Sequence, residues 1–130
     1  MNKSDFNSVR RIQDSCDSPM SREELKNFVS KSTCICNVAE VEGNIVGYVL
    51  YDITSSDMDI VNFAVRAEFR RQGIARGLIS GLVAKLNERR TSITVSVPDS
   101  ALPAQLMLKD LGFKAVAVDG SEYKFLIQHS

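Results

Sequence analysis

Residues 59–86 read DIVNFAVRAEFRRQGIARGLISGLVAKL, a strand, a short arginine-rich turn and a long helix around which the rest of the chain is organised. Ile60 to Val65 is apolar and β-branched enough for a buried strand, but Asn62 interrupts it with a side chain poorly suited to an apolar core. That irregularity points to a local requirement. Beyond the turn, Ile74, Leu78, Leu82 and Leu86 form one row stepping by four and Ala75, Ile79 and Val83 a second, which predicts one broad buried helix face.

A strand feeding a glycine-containing turn that opens a helix is suited to binding phosphate. The first helical N–H groups have no intrahelical partner, the macrodipole places partial positive charge there, and Gly73 lets the backbone approach an anion closely. Arg70, Arg71 and Arg76 add mobile positive charge. No G-x-x-x-x-G-K-[ST] run and no G-x-G-x-x-G run is present, which disfavours ATP and NAD.

Arg70, Gly73 and Ala75 fill the fixed positions of [QR]-x-x-G-x-[GA], and the chain here resembles the acyl-CoA-binding motif of the GNAT N-acetyltransferase superfamily. The similarity extends through NFAVRAEFRRQGIARGLI to LGF at Leu111 to Phe113, and covers nearly the whole chain except a first strand. The competing reading is an ordinary strand-turn-helix with a solvated arginine cluster. The resemblance implies an α/β (α+β) fold with a mixed, mostly antiparallel central sheet and helices on both faces. It also implies acetyl-CoA as co-substrate, with the pyrophosphate on the turn and helix start at Arg70, Arg71, Gln72, Gly73, Ile74, Ala75 and Arg76. The pantetheine would run along the backbone of Phe63, Ala64 and Val65, freed by a bulge that splays this strand from the next. A backbone N–H there would stabilise the thioester oxygen as charge develops.

The acid and base depart from the family's pattern. Members similar to ribosomal-protein alanine acetyltransferases carry a tyrosine four residues before the glycine of GF, a glutamate on the strand after the long helix, and an asparagine early in the last helix. Those positions hold Leu108, Ser96 and Ala101. A leucine cannot protonate a thiolate, although a thiol of pKa about 8.5 is a tolerable leaving group unaided. For the base, Asp59 lies fourteen residues before Gly73, where histone-acetyltransferase-type members carry their catalytic glutamate. Being shorter, it would act through a water; the alternative is a solvent-facing carboxylate at a strand end. Ser96, Ser100, Tyr51 and Tyr123 are weaker alternatives. The implied activity is N-acetylation of a small-molecule amine or of a peptide or protein amino group. The competing class is a non-catalytic acyl-CoA-binding or interaction module of the same fold.

At 130 residues the chain is expected to form one domain, residues 1–130, with any site built inside it or with a second copy. A homodimer is left open. Lys plus Arg and Asp plus Glu number 16 each, so no global field draws the protein to nucleic acid or anionic membrane. An RNA-binding reading of RRQGIARG would need a broader basic surface with stacking aromatics. The N-terminus has no apolar leader and no run is long enough to cross a bilayer, which predicts a cytoplasmic protein. Cys16, Cys34 and Cys36 are expected as free thiols. With His129 as the single histidine, small buried hydrophobes are favoured over zinc ligands, and no metal is expected.

In chain order, a helix is expected from Asp5 to Cys16 with Phe6, Val9 and Ile12 on one side, then a turn at Asp17-Ser18-Pro19. Ser21 with Glu24 predicts a capping box for a helix through about Lys31. In the family this helical pair lines the acceptor groove. Strands follow at Cys34 to Val41, Ile45 to Tyr51 and Met58 to Val65, as an antiparallel meander joined at Glu42-Gly43-Asn44 and Asp52 to Ser56. The long helix runs from Gly73 to about Glu88, with Gly77 and Gly81 read as a smooth surface against neighbouring backbone. A strand at Ser92 to Val97 is followed by a helix capped by Asp99 or Ser100, with Gly112 just past its end. Phe113 to Val118 and Tyr123 to Ile127 form a final hairpin. About 200° separates Leu106 from Leu108 on that last helix, so they do not share a face, and the spacing favours Leu108 toward the cleft.

Overall fold

The computed structural model describes residues 3–14 and 21–129. Cys16, the expected turn at Asp17-Ser18-Pro19 and the side chain of Phe6 lie outside what is described. Helices α1 (Lys3–Asp14) and α2 (Arg22–Val29) are followed by strands β1 (Cys34–Val41), β2 (Asn44–Ile53) and β3 (Asp57–Val65). A 3₁₀ turn (Ala67–Phe69) leads to α3 (Ile74–Val83), then β4 (Ser92–Pro98), α4 (Leu102–Asp110), β5 (Lys114–Asp119) and β6 (Glu122–Gln128). The six strands lie in the order β1-β2-β3-β4-β6-β5, antiparallel throughout except for the β3–β4 pair. This is the mixed, mostly antiparallel sheet expected. Among the described residues no strand precedes β1, which forms one edge.

Alternation along the strands creates two apolar layers. Val49 and Tyr51 of β2, Met58 and Ile60 of β3, and Ile93, Val95 and Val97 of β4 face Ile79 and Leu82 of α3 and Leu108 of α4. On the other side, Tyr48 and Leu50 of β2 meet Val9 and Ile12 of α1 and Leu25 and Phe28 of α2. Cys34 and Cys36 share this second face and are half-buried against it. Burial, with the Asp52 carboxylate alongside, pushes the Cys34 thiol up and keeps it protonated.

The capping box forms as read: Glu24 N donates to Ser21 Oγ and Ser21 N to the Glu24 carboxylate, at 3.0 and 3.2 Å. Other elements correct the expectation. Helix α3 stops at Val83: Lys85 and Leu86 close tighter turns on the carbonyls of Leu82 and Val83, and Asn87 then accepts from the N–H groups of Arg89 and Arg90 (2.7 and 3.0 Å), which turns the chain away. Gly77 and Gly81 face open space, with nothing within 4 Å of where a Cβ would stand, so they are not a packing surface. Neither Asp99 nor Ser100 caps α4. Its first turn instead rides on Gln105, whose Nε2 donates to the carbonyls of Pro98 and Asp99, each at 3.1 Å.

Leu108 is also corrected. It is 0 % exposed within the core while Leu106 is 55 % exposed, so the two leucines do occupy different faces but in the reverse sense. The loop from Gly112 to β5 sets this, because Phe113 N donates to Leu108 O (2.9 Å) and turns Phe113 inward beside it.

Candidate active site

The irregularity at Asn62 is a β-bulge. Leu50 pairs with Asn62 and Tyr51 with Ile60, so Val61 is an extra residue on β3 that faces no partner of its own. One extra residue inverts the alternation that follows. Met58 and Ile60 point toward α3 before it, and Phe63 packs toward α3 after it, while Ala64 faces α1 and α2. The bulge also ends the sheet locally: β3 and β4 pair from Asp57–Ser92 to Ile60–Val95 and no further, although β4 continues beside β6 to Pro98. Past Ile60 the two strands part. The backbone edge of Phe63 to Val65 that would have met β4 is left without a strand.

This opening runs directly into the turn. Arg70 Nε donates to Val65 O (3.1 Å), which ties the turn to the strand end. Arg71 and Gly73 both take left-handed backbone, φ 63° and 80°, which turns the chain sharply from the strand end into α3. Gly73 is the N-cap of α3 and no side chain caps the helix, so its first N–H groups remain available. Gly47 lets the helix start sit this close to the sheet: a Cβ there would stand 3.1 Å from Ile74 Cγ2 and 3.2 Å from Val65 Cγ2.

A cleft of 590 Å³ occupies the opening, and nine of the ten residues predicted to hold acetyl-CoA line it: Phe63, Ala64 and Val65; Arg70, Arg71 and Gly73; Ile74, Ala75 and Arg76. Gln72 does not, and turns its Nε2 to Glu68 O (3.4 Å). Sequence reasoning did not anticipate the opposite wall, Phe69 with Pro103, Ala104 and Met107 of α4 beside Ser100 and Ala101. The positive charge is less mobile than expected. Arg70 is tied to Val65, Arg76 reaches Asp110 at 3.5 Å, and only Arg71 has no hydrogen bond or ion pair among the described residues. Two other depressions, of 320 and 570 Å³, lie away from the β3–β4 opening and lack a helix start.

Asp59 is not among the residues lining this cleft. It is exposed on the sheet face toward α1 and α2, in the still-paired part of β3, and accepts a 2.9 Å hydrogen bond from Thr94 Oγ1. Asp52 stands directly opposite on β2, with one carboxylate oxygen buried and without a hydrogen bond among the described residues. Among the weaker candidates, Tyr51 is buried core, Tyr123 is half-buried and Ser96 is exposed. Only Ser100 brings a hydroxyl to the cleft wall. Also unforeseen is a polar cluster at the bulge: Asn62 Oδ1 accepts from Tyr48 Oη and from Gln13 Nε2, the latter at 3.3 Å. Gln13 was detectable, because it falls four residues after Val9 on the buried stripe of α1, where a polar side chain needs a reason.

A six-stranded sheet splayed at a bulge beside the uncapped start of a helix defines an acyltransferase fold. Residues 8–127 match the acetyltransferase (GNAT) domain family, and the chain belongs to that family. Its fold is similar to that of the ribosomal-protein-S18-alanine N-acetyltransferase from Escherichia coli, at 20 % identity and a TM-score of 0.80 over 97 % of this chain and 87 % of that one. Ard1 from Thermoplasma volcanium superposes at 22 % identity and 0.83, covering 98 % and 93 %. Arabidopsis thaliana NAA60 in complex with acetyl-CoA does so at 18 % and 0.81, covering 98 % and 95 %. No curated protein sequence matches the chain.

Proposed function

We propose that this chain is an acetyl-CoA-dependent N-acetyltransferase acting on an amine of a small molecule or on a peptide or protein amino group. The observation that carries the reading is the parting of β3 and β4 after Ile60 and Val95, directly beside the uncapped start of α3. In this reading the pyrophosphate rests on the N–H groups from Arg71 to Arg76, with Arg71 as the free counter-charge. The pantetheine pairs with the backbone of Phe63 to Val65, against the apolar wall of Ala104 and Met107. The neutral amine attacks the thioester carbonyl carbon, a backbone N–H of β3 holds the oxygen as it becomes anionic, and the C–S bond breaks to leave the CoA thiolate. Asp59, through a water, takes the proton that the amine loses. The thiolate takes its proton from solvent, because a thiol of pKa about 8.5 leaves without an acid. No helix among the described residues is long and apolar enough to cross a membrane, and we place the activity in the cytoplasm.

The alternative, an acyl-CoA-binding module without chemistry, draws on the burial of Leu108 and on Ser96 and Ala101, which stand where the family's tyrosine, glutamate and asparagine would be. Thiol release from acetyl-CoA, measured on the purified protein against a panel of amines and N-terminal peptides, separates the two. Amine-dependent release above hydrolysis is expected. Binding of CoA with no release for any amine would favour the module.

A further inference from the structure

Gln13, Tyr48 and Asn62 are not among the residues lining the β3–β4 cleft. Gln13 is 1 % exposed and Tyr48 0 %, so each brings a buried donor to the sheet face under α1, and both donate to the one oxygen Asn62 Oδ1. Two buried donors on one carbonyl fix the carboxamide's orientation. Its trigonal geometry then turns Nδ2 away from both, and Nδ2 makes no further hydrogen bond among the described residues. Asn62 is the first paired residue beyond the bulge, next to the last β3–β4 pair, so this donor stands where the strands part. Its face is that of Asp59, across the sheet from α3.

We infer that Asn62 is a specificity-determining residue whose Nδ2 donates to the oxygen of a carbonyl group whose carbon lies two bonds from the reacting amine nitrogen. The preferred acceptor is then the N-terminus of a peptide, not a plain alkylamine. This rests on the acetyltransferase reading and sharpens it. An amide N–H is a donor only, which suits a carbonyl and has nothing to offer an alkyl chain. A free amino acid would instead bring its carboxylate to the face that carries Asp52 and Asp59, directly opposed to one another, and like charges there repel it. A peptide has the carbonyl without that charge.

The test uses the CoA-loaded protein and a set of X-Gly-Gly amides, with X glycine, alanine, serine, methionine or lysine, against isopropylamine as a branched amine lacking the carbonyl. Binding is read by NMR titration and turnover by thiol release, with rates referred to the neutral amine. At least one peptide should bind and react roughly tenfold or more better than the alkylamine, about one good hydrogen bond. Asn62→Asp keeps an acceptor for Tyr48 and Gln13 but removes the donor, so the preference should collapse through KM for the peptide while KM for acetyl-CoA and the melting temperature hold. Peptide binding without turnover would sustain the inference and sink the catalytic reading. Equal treatment of peptides and alkylamine, or binding of neither by the wild type, overturns the inference whether or not the variant folds; so does an unchanged preference in Asn62→Asp.

Discussion

Asp59 lies between two buried neighbours, Met58 and Ile60, and is itself exposed because alternation puts it on the opposite face. There it meets Thr94, which holds one oxygen at 2.9 Å, and Asp52, which faces it across the β2–β3 ladder. Opposed like charges in a ladder are destabilising. Asp59 stands opposite Asp52, whose buried carboxylate oxygen has no hydrogen bond among the described residues, so the pair costs stability. Exchanging the carboxylate for a carboxamide removes the charge and keeps the shape, so Asp59→Asn is expected to raise the melting temperature while lowering kcat by about 10²-fold or more, with KM for acetyl-CoA unchanged. Steady-state kinetics and a thermal melt on the same sample check both. A higher melting temperature at full rate would make Asp59 a solvent-facing carboxylate and leave the base to be found elsewhere.

At the scale of elements, most boundaries followed from periodicity and turn chemistry: β1 runs over the residues expected, the Ser21 capping box forms, and the buried face of α3 is the one its two rows describe. What periodicity missed depends on contacts between elements. Nothing in the spacing of Gly77 and Gly81 says whether a neighbour covers them, and none does. Glycine in an open helix costs about 1 kcal/mol relative to alanine, so Gly77→Ala and Gly81→Ala should each stabilise by up to that amount with acetyl-CoA affinity unchanged, as measured by denaturant melts. Helix α4 makes the same point in the other direction. Its leucines recur on both faces, and only Phe113 and the turn at Gly112 decide that Leu108 goes in. Leu108→Tyr is therefore expected to overpack the core, costing about 1–3 kcal/mol, and to leave turnover no faster. A rate gain in that variant would mean that the hydroxyl reaches the leaving sulfur, and that α4 can rotate into the cleft.

For the whole molecule, the half of the site made by contiguous sequence was legible and the half made by topology was not. Arg70 to Arg76 could be read as a candidate anion cradle from backbone chemistry, a turn and a helix start within seven residues, and six of the seven line the cleft. The Asn62 cluster gathers residues from α1, β2 and β3, and the cleft's far wall comes from α4; Asn62 and Gln13 each mark an irregular position, but nothing local in the chain says that they meet. These parts meet where the sheet is split, which ties ligand binding to the stability of the entire fold. CoA at a hundredfold excess over its Kd should stabilise the protein by about 2.7 kcal/mol, a shift of several degrees in melting temperature. Gly73 makes that dependence testable. A Cβ there would meet nothing within 4 Å, but φ is 80°, so Gly73→Leu strains the turn by roughly 1–2 kcal/mol and sets a side chain among the cleft-lining residues. The variant is expected to fold with a modestly lower melting temperature and to show no shift with CoA. If instead the CoA-induced shift equals that of the wild type, the pyrophosphate does not rest at the start of α3, and the opening between β3 and β4 receives some other ligand.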